Sequence, residues 1–385
     1  MPKKKILLFS DWFYPGFMAG GPIQSSYNLI HHLKEYYDFS VITRDTDYTD
    51  TIPYKGIKSD TWNILPNGMR VYYFSEKNLS YPNMSKLIES EEFDIAYLNS
   101  MYSPRFTIMP LFILHKLGKK IVLAPRGMLA PTAIAIKSWK KKPFLLWIKN
   151  SKRIKNMKFH AASNHEAEHI RQVFGKKVEI RTAPNLPGKM ELPVSVEKRK
   201  YSGAVNLMNV ARVSPEKNLH YALEVLQHVK GKVKFDIYGP VYDYGYWEKC
   251  KELLAKLPPN IEAEYMGPIS KESIPNAMKD VHFLLMPTQG ENFGHTILEA
   301  MVCGCPPIIS DQTPWIGLEP IKAGFDIPLE EQKRFEEVLH KVVSMDSEEF
   351  KTWSEGTRAY AFNFINNPKL LEQSVNIFTE LGIRN

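Results

Sequence analysis

Residues 287–301 read Pro-Thr-Gln-Gly-Glu-Asn-Phe-Gly-His-Thr-Ile-Leu-Glu-Ala-Met, and this stretch decides the fold class. An apolar run at 281–286 precedes it and predicts a buried strand, while the apolar spacing over 294–303 predicts a helix. A strand, a Gly-containing loop and a helix in this order form the repeating unit of a doubly wound, parallel α/β sheet. The first amides of such a helix attract anions, so the stretch also predicts a phosphate-binding position.

The same alternation of strands and helices runs along the rest of the chain, on both sides of a polar, Pro-containing stretch at 185–202 that we interpret as a linker. Before the linker, the pattern predicts helices at 23–36, 109–117 and 164–174, and strands at 5–9, 39–43, 95–98, 121–124 and 159–162, the last closing this half. After it, helices are predicted at 219–229, 247–255, 274–278 and 294–303, and strands at 204–211, 234–238, 261–265, 281–286 and 307–310. The sequence of 385 residues therefore predicts two α/β domains.

Two glutamates lie eight positions apart in the deciding stretch. Glu291 falls in the predicted loop, and Glu299 lies in the helix that follows it. A carboxylate accepts two hydrogen bonds at once, so we interpret Glu299 as the acceptor for a ribose diol. Gly294 would let a phosphate group approach the backbone closely. The amides that would face a diphosphate belong to Phe293, Gly294, His295 and Thr296.

A second segment, residues 209–219, reads Asn-Val-Ala-Arg-Val-Ser-Pro-Glu-Lys-Asn-Leu and follows the first predicted strand of the second domain. Arg212 and Lys217 are therefore expected at the carboxyl end of that strand, where ligands of open α/β sheets bind. Two cations at this position can clamp a diphosphate and neutralise the charge that develops on it as a leaving group.

Together the two segments resemble the signature of retaining GT-B glycosyltransferases of family 4, the glycosyl transferases group 1 of surface-polysaccharide biosynthesis. The likeness rests on the Glu-x7-Glu spacing, on the following Glu-Ala-Met-Val-Cys-Gly-Cys-Pro-Pro, and on an element similar to Gly-Arg-x4-Lys-Gly in which Asn218 replaces the last glycine. The resemblance implies that Glu291 contacts the donor sugar and that Glu299 binds the donor ribose. It also assigns the diphosphate and the sugar hydroxyls to the segment formed by Asn292, Phe293 and Gly294.

The resemblance further implies an architecture and a reaction. The fold would be GT-B, with two Rossmann-like domains facing across a cleft: residues 1–185 for the acceptor, residues 186–364 for the donor, and a C-terminal helix at 365–385 that crosses back to the first domain. The reaction would transfer a hexose-type sugar from a UDP- or GDP-sugar to a hydroxyl group, with retention of configuration. Glu291, Arg212 and Lys217 would then be the catalytic residues of a hexosyltransferase.

No cofactor and no metal ion are expected. Arg212, Lys217 and the helix N-terminus already offset the diphosphate charge. The pair Asp45 and Asp47 superficially matches a metal-binding Asp-x-Asp, but it follows a strand of the first domain, and we interpret it as part of a loop. The three cysteines fit a reducing compartment and supply no usual zinc ligand set.

The first domain offers weaker candidates. Gly20 and Gly21 open its first helix and resemble the family's Gly-Gly loop, which lies close to the donor phosphate or the acceptor. Arg126 follows a predicted strand and is interpreted as an acceptor-side or phosphate contact, with a structural ion pair as the alternative. Many relatives carry a His after the strand that matches residues 94–98; here Asn99 and Ser100 occupy that region and are assigned to the acceptor side.

Basic residues suggest an anionic partner. The net charge is +8, and residues 137–158 hold nine basic residues, no acidic ones and several aromatic and aliphatic side chains. This pattern suits an anionic membrane surface and a lipid-linked saccharide acceptor, as in lipopolysaccharide assembly. An amphipathic helix packed on the first domain with a solvated basic face is the alternative, and the sequence does not decide between the two. Nucleic acid is not expected, because no recognised module accompanies the patch.

The apolar runs fall short of the ~18 residues of a membrane-spanning helix. The expected location is therefore the cytoplasm, including a peripheral position at the inner face of the plasma membrane. Two other functions stay open: a sugar-nucleotide epimerase on the same fold, and a non-catalytic, basic membrane-binding scaffold. An NAD-dependent dehydrogenase is not favoured, because a Gly-x-Gly-x-x-Gly segment with an acidic residue about 20 positions later is missing.

Overall fold

The computed structural model describes residues 2–135, 138–150, 157–188 and 198–379. The chain divides into two compact units. Unit 1 consists of Met1–Lys189 together with Pro368–Asn385, and unit 2 is Met190–Asn367. Each unit contains a mainly parallel sheet with helices between its strands, so the predicted α/β class is confirmed.

The sheet of unit 1 has the strand order β3-β4-β2-β1-β5-β6-β7-β8 within the described residues. All neighbouring strands are parallel except β3 and β4. The strands are β1 Lys4–Phe9, β2 Tyr37–Arg44, β3 Trp62–Ile64, β4 Arg70–Phe74, β5 Ile95–Leu98, β6 Lys120–Leu123, β7 Met157–Ala161 and β8 Glu179–Thr182. The helices are α1 Gly21–Leu33, α2 Tyr81–Ser90, α3 Met109–Lys116, α4 Pro131–Ala135, α5 Ser138–Asn150 and α6 Asn164–Phe174.

The central strands of this sheet are continuous apolar runs. In β1, the side chains from Ile6 to Phe9 are all buried, and the strand pairs with β2 on one side and β5 on the other. Such runs are typical of parallel strands that are covered by helices on both faces. Because parallel strands share one direction, the segments that follow β1, β5 and β6 gather at the same edge of the sheet.

The strand at 159–162, which was predicted to close the first half, is not the last strand of the unit 1 sheet. Residues 159–162 overlap β7, but β8 follows α6 and forms the edge of the sheet. The sequence of β8 is Glu-Ile-Arg-Thr, and its four side chains are only partly buried. An edge strand that is half solvated has no apolar run, so a search for buried strands does not find it.

The sheet of unit 2 has the order β11-β10-β9-β12-β13-β14 and is parallel throughout the described part. Its strands are β9 Ala204–Val210, β10 Lys232–Tyr238, β11 Ile261–Gly267, β12 Phe283–Met286, β13 Pro307–Ser310 and β14 Phe325–Ile327. Its helices are α7 Leu219–Leu226, α8 Tyr244–Leu254, α9 Ile274–Ala277, α10 His295–Val302, α11 Gln332–Ser344 and α12 Ser347–Ile365. Alternate residues of β9 belong to two different core clusters: Leu207 to one and Met208 to the other. The sheet is therefore packed on both faces.

The last helix, α13 Pro368–Val375, belongs to unit 1 rather than to unit 2. The Tyr37 hydroxyl donates a hydrogen bond to the carbonyl of Val375 at 2.8 Å. The ring of Phe378 packs edge-on against Tyr37 at 5.2 Å and also lies against Phe39. Aromatic packing and one main-chain acceptor thus attach the end of the chain to β2.

Candidate functional site

The loop between β12 and α10 is shaped by Gly294. This residue has φ 75° and ψ 63°, a left-handed conformation that disfavours side chains. A Cβ at this position would lie 2.7 Å from Cδ1 of Ile297 and 3.1 Å from Cγ of Glu291, so any side chain larger than that of Gly would also clash with its neighbours. Gly294 supplies no side-chain cap, so the side chain of the N-cap residue does not cover the N-terminus of α10, a position that attracts anions.

Lys217 and Glu291 form an ion pair at the carboxyl edge of this sheet. The Nζ of Lys217 lies 2.8 Å from Oε2 of Glu291, although the two residues are 74 positions apart. Asn218 fixes the juxtaposition, because its Nδ2 donates to the carbonyl of Pro287 at 2.8 Å. Asn218 itself adopts a left-handed conformation at φ 61°, which Asn tolerates better than most residues. Lys217 is only 9% exposed.

Burial alone would lower the pKa of Lys217 and raise the pKa of Glu291. Burial is the largest single cause in both cases, but the opposite charges and the hydrogen bond together outweigh it, so the pKa of Lys217 is raised and the pKa of Glu291 is lowered. Glu216 adds to the effect on Lys217, and His295 and Arg212 add to the effect on Glu291. Arg212 extends the charge cluster through Glu216, whose carboxylate lies 3.8 Å from Arg212 and 3.4 Å from Lys217. Both members of this partly buried pair therefore stay ionised at neutral pH.

Glu299 is the fifth residue of α10 and is 9% exposed. Burial raises its pKa to about 7, Lys271 opposes the rise, and Glu272 adds to it. The Nζ of Lys271 lies 3.9 Å from Oε1 of Glu299. A carboxyl group with this pKa changes its charge in the physiological range, and its ionised form is the stronger hydrogen-bond acceptor.

The loop around these residues is held by a further set of contacts. The Trp315 indole donates to the carbonyl of Phe293, and the Phe293 ring packs against Trp315 and Phe364. Phe293 is buried, so the loop offers the ligand its main chain rather than its ring. Ser310 donates to the carbonyl of Thr288 from β13. Sequence reasoning missed Lys271, Trp315 and Ser310, because none of them stands in a motif with the residues it contacts.

The structure brings most predicted donor-side residues together in unit 2. Arg212, Lys217 and Glu291 form one charge cluster, and the amide of Asn292 donates to Oε1 of Glu291 at 3.2 Å. Glu299 lies farther along α10 and contacts Lys271 instead. The remaining predicted positions lie in the loop and the first turn of α10: Phe293, Gly294, His295 and Thr296.

The candidates of unit 1 gather at the carboxyl edge of its own sheet. Gly20 caps α1 with φ 69°, and a Cβ at Gly20 or Gly21 would meet nothing within 4 Å. Asn99 donates to Oγ of Ser26 at 2.6 Å and accepts from Nε of Arg126 at 2.7 Å. The buried hydroxyl of Ser100 hydrogen-bonds to Oγ1 of Thr107 at 3.0 Å. The acceptor-side roles of these residues stay predictions.

The Asp45 and Asp47 carboxylates are engaged in loop contacts. Oδ2 of Asp47 accepts from the amides of Phe17 and Met18 at 2.8 and 3.2 Å. Oδ2 of Asp45 accepts from the hydroxyl of Ser59 at 2.6 Å. Asp47 thus holds the segment that connects β1 to α1, and Asp45 holds the segment that connects β2 to β3.

Comparisons with known proteins identify the fold. Residues 195–358 match the sequence model of the family described as glycosyl transferases group 1. A search of curated proteins finds no match. Among solved structures, HepE of Anabaena, in complex with UDP and glucose, is similar with a TM-score of 0.73 and 16% identity over 98% of this chain and 100% of HepE.

Two further solved structures are similar to this chain over nearly its whole length. Sucrose-phosphate synthase from Thermosynechococcus elongatus has a TM-score of 0.72 and 15% identity over 98% of both chains. WaaG, a glycosyltransferase involved in lipopolysaccharide biosynthesis, has a TM-score of 0.67 and 14% identity over 98% of this chain and 100% of WaaG. The chain therefore has the GT-B fold.

Proposed function

We propose that this chain is a glycosyltransferase that moves a hexose-type sugar from a nucleoside-diphosphate sugar to a hydroxyl of a saccharide acceptor, with retention of configuration. The observation that carries the proposal is the partly buried Lys217–Glu291 ion pair beside the N-terminus of α10. The match of residues 195–358 to the glycosyl transferases group 1 family supports it. HepE, which binds UDP and glucose, makes a UDP-sugar the first donor to test.

In this proposal the donor diphosphate lies between the α10 amides and the side chains of Lys217 and Arg212. These groups stabilise the charge that develops on the leaving phosphate. Glu291 accepts hydrogen bonds from the sugar hydroxyls, and Glu299 accepts them from the ribose. The acceptor hydroxyl attacks on the face from which the phosphate leaves, and a phosphate oxygen takes its proton. The chain then supplies positioning and electrostatics, and no strong base is needed.

The alternatives predict different products. A sugar-nucleotide epimerase would convert the donor in the absence of an acceptor, whereas a transferase would leave the intact donor largely unchanged. A non-catalytic scaffold would not bind the donor. The partly buried ion pair argues against the scaffold, because charges that are largely removed from water are costly to keep without a role for them.

The first test is thermal stabilisation of the full chain by a panel of UDP-, GDP-, ADP- and dTDP-sugars without added metal. One nucleotide is expected to raise the Tm of the wild type by several degrees, because a ligand that binds only the folded state stabilises it. Glu299→Ala is expected to reduce this shift to less than half, since the ribose loses its acceptor. The absence of a shift with every nucleotide, with and without magnesium, would contradict the proposed function.

We further propose that the acceptor is lipid-linked and that α5 lies against an anionic membrane surface. Within α5, Leu145 and Ile148 are buried against unit 1, whereas Trp139 is 73% and Leu146 58% exposed. Lysines 140, 142 and 149 are exposed on the same helix. Exposed apolar side chains among lysines suit the interface of an anionic bilayer. Residue 137 and residues 151–156 of the basic stretch lie outside the described residues. Among the described residues, no helix has the length and apolar character of a membrane span.

Vesicle flotation tests this surface. The full chain is expected to float with phosphatidylglycerol vesicles but not with phosphatidylcholine vesicles, and 0.5 M NaCl is expected to weaken binding because salt screens the lysines. Replacing both Trp139 and Leu146 with Ala should reduce the bound fraction about tenfold. Tyr244→Ala is the matched control, because Tyr244 is 72% exposed in unit 2. Equal binding to both kinds of vesicle would contradict the proposed surface.

A further inference from the structure

Arg126 is a cation whose hydrogen-bonding partners, among the described residues, are all neutral. Its Nε donates to Oδ1 of Asn99 at 2.7 Å, one terminal nitrogen donates to Oδ1 of Asn185, and the other donates to the hydroxyl oxygen of Tyr97 at 2.8 Å. These three bonds orient the guanidinium without offsetting its charge. A partly buried charge that is oriented but not neutralised is costly, unless a ligand of opposite charge completes the site.

His160, which hydrogen-bonds to the Tyr97 partner of Arg126, is also neutral. Nε2 of His160 lies 2.8 Å from the carbonyl of Ala183, and a carbonyl can only accept, so Nε2 carries the proton. Nδ1 of His160 therefore accepts from the Tyr97 hydroxyl at 2.7 Å, which leaves the Tyr97 oxygen to accept from Arg126. Burial, together with the charge of Arg126, lowers the pKa of His160 to about 3, so the imidazole stays neutral.

Glu166, the acidic residue that holds the Arg126 loop, is occupied elsewhere. It is buried, and its two carboxylate oxygens accept from the amides of Gly127 and Ala162 at 2.6 and 2.7 Å. These bonds fix the loop that carries Arg126 and do not reach its guanidinium. The charge of Glu166 is thereby used to shape the backbone rather than to pair with Arg126.

The backbone at Arg126 is strained in a way that a structural arginine would not require. Its φ is 55°, in the left-handed region, and Gly127 follows at φ 76°. A left-handed conformation is unfavourable for residues other than Gly, and such residues cluster at ligand sites. The loop follows β6 and lies at the carboxyl edge of the unit 1 sheet, beside the Asn99 segment that follows β5. Ligands of open α/β sheets bind at this edge.

We propose that Arg126 is an anion-binding position in unit 1, and that it takes an oxyanion carried by the acceptor, either a phosphate or a carboxylate. The assignment of the anion to the acceptor rests on the proposed function, whereas the anion site itself rests on the geometry of unit 1. A planar guanidinium suits both groups, because each presents two oxygens to its paired N–H donors. Asn99, Asn185 and Tyr97 are positioning residues, and His160 acts through Tyr97.

The test is titration calorimetry of the full chain with glucose 1-phosphate, glucuronate and methyl glucoside as probes, at constant ionic strength. The wild type is expected to bind at least one of the two anions and not the neutral sugar, and the preference between the anions identifies the phosphate or the carboxylate. Arg126→Gln should weaken that binding at least tenfold. Arg171→Gln is the matched control: it removes one positive charge from α6 of the same unit, where Arg171 pairs with Glu168, and should change binding less than twofold.

Two further variants determine which unit holds the anion. Lys217→Met should leave anion binding at unit 1 intact. If Lys217→Met abolishes anion binding and Arg126→Gln does not, the anion binds to unit 2 and the proposal is overturned. Tyr97→Phe keeps the charge of Arg126 but removes the hydroxyl oxygen that accepts one of its hydrogen bonds. This variant should weaken anion binding severalfold, and it replaces Arg126→Gln in the test if Arg126→Gln fails to fold. No binding of either anion by the wild type would also overturn the proposal. The UDP-sugar shift is measured in parallel, and its absence would count against the proposed function alone.

Discussion

Replacement of Lys217 with Met is expected to lower the rate of sugar transfer by about three orders of magnitude, the loss typical of removing one preorganised group that stabilises developing charge. Lys217 is the buried cation paired with Glu291, and both the leaving phosphate and the sugar would depend on its position. The measurement is the release of nucleoside diphosphate from the donor identified by thermal shift, at saturating donor concentration. A variant that retains more than a tenth of the wild-type kcat would show that Lys217 has no catalytic role.

The same pair should control stability. Breaking a fully buried ion pair by removing one partner typically costs about 3–5 kcal/mol. Glu291 is partly exposed and Glu216 stays 3.4 Å from Lys217, so Lys217→Met and Glu291→Gln should each lower the free energy of unfolding by less than this amount. The double variant should be more stable than the sum of the two losses predicts, because no unpaired charge remains. A matched control is Lys251→Met: Lys251 and Glu248 also lie 2.8 Å apart, but both are exposed on α8, where such pairs contribute about 0–1 kcal/mol. Additive losses in the double variant would contradict a coupled pair.

Donor binding is expected to strengthen as the pH rises from 5 to 8, and to lose this dependence in Glu299→Gln. The pKa of Glu299 is raised to about 7, so below neutral pH the carboxyl group must release a proton before it becomes the stronger acceptor for the ribose hydroxyls. Each pH unit below the pKa then costs up to about tenfold in affinity, or roughly 100-fold between pH 7 and pH 5. A nucleotide sugar is the right probe, because it has no terminal phosphate that titrates in this range.

In the absence of donor, the contribution of Glu299 to the free energy of unfolding should decrease as the pH rises, whereas donor affinity increases. A pKa raised on folding means that the folded chain holds more protons than the unfolded chain between about pH 4.5 and 7. The stabilisation linked to Glu299 is complete below this window and is lost as the pH rises through it. The Tm of Glu299→Gln relative to that of the wild type should therefore increase from pH 5 to pH 8. Glu252→Gln, an exposed change on α8, controls for the loss of one carboxyl group; an equal pH trend in both variants would exclude Glu299 as the source.

The sequence predicted the charge cluster of unit 2 because the fold unit itself constrains those residues. Arg212 and Lys217 follow β9, Glu291 follows β12, and β9 and β12 are adjacent parallel strands. Once both segments are recognised as loops after parallel strands, their meeting at one edge of the sheet follows from strand direction alone. The order of strands and loops, together with the resemblance to the family motifs, was sufficient for this part of the candidate site.

Other contacts depend on geometry that the sequence does not express. Lys271 lies 28 positions before Glu299, after β11 at the far edge of the sheet, and no motif connects the two residues. Arg126 was predicted to follow a strand, but its neutral partners come from β5 and from the segment after β8, a strand that was not predicted. Where an element is short and half-exposed, the sequence carries too little periodicity to place the side chains that meet it.

The return of α13 to unit 1 has a consequence for gene fusion and engineering. Unit 2 is one uninterrupted stretch of sequence, whereas unit 1 is assembled from both ends of the chain. A chain shortened to its first 188 residues would leave Tyr37 without Val375 and Phe378, and should expose an aromatic surface that promotes aggregation. Exchange of unit 2 as one block would instead preserve that surface, and under the proposed function it should transfer the donor preference while unit 1 is kept.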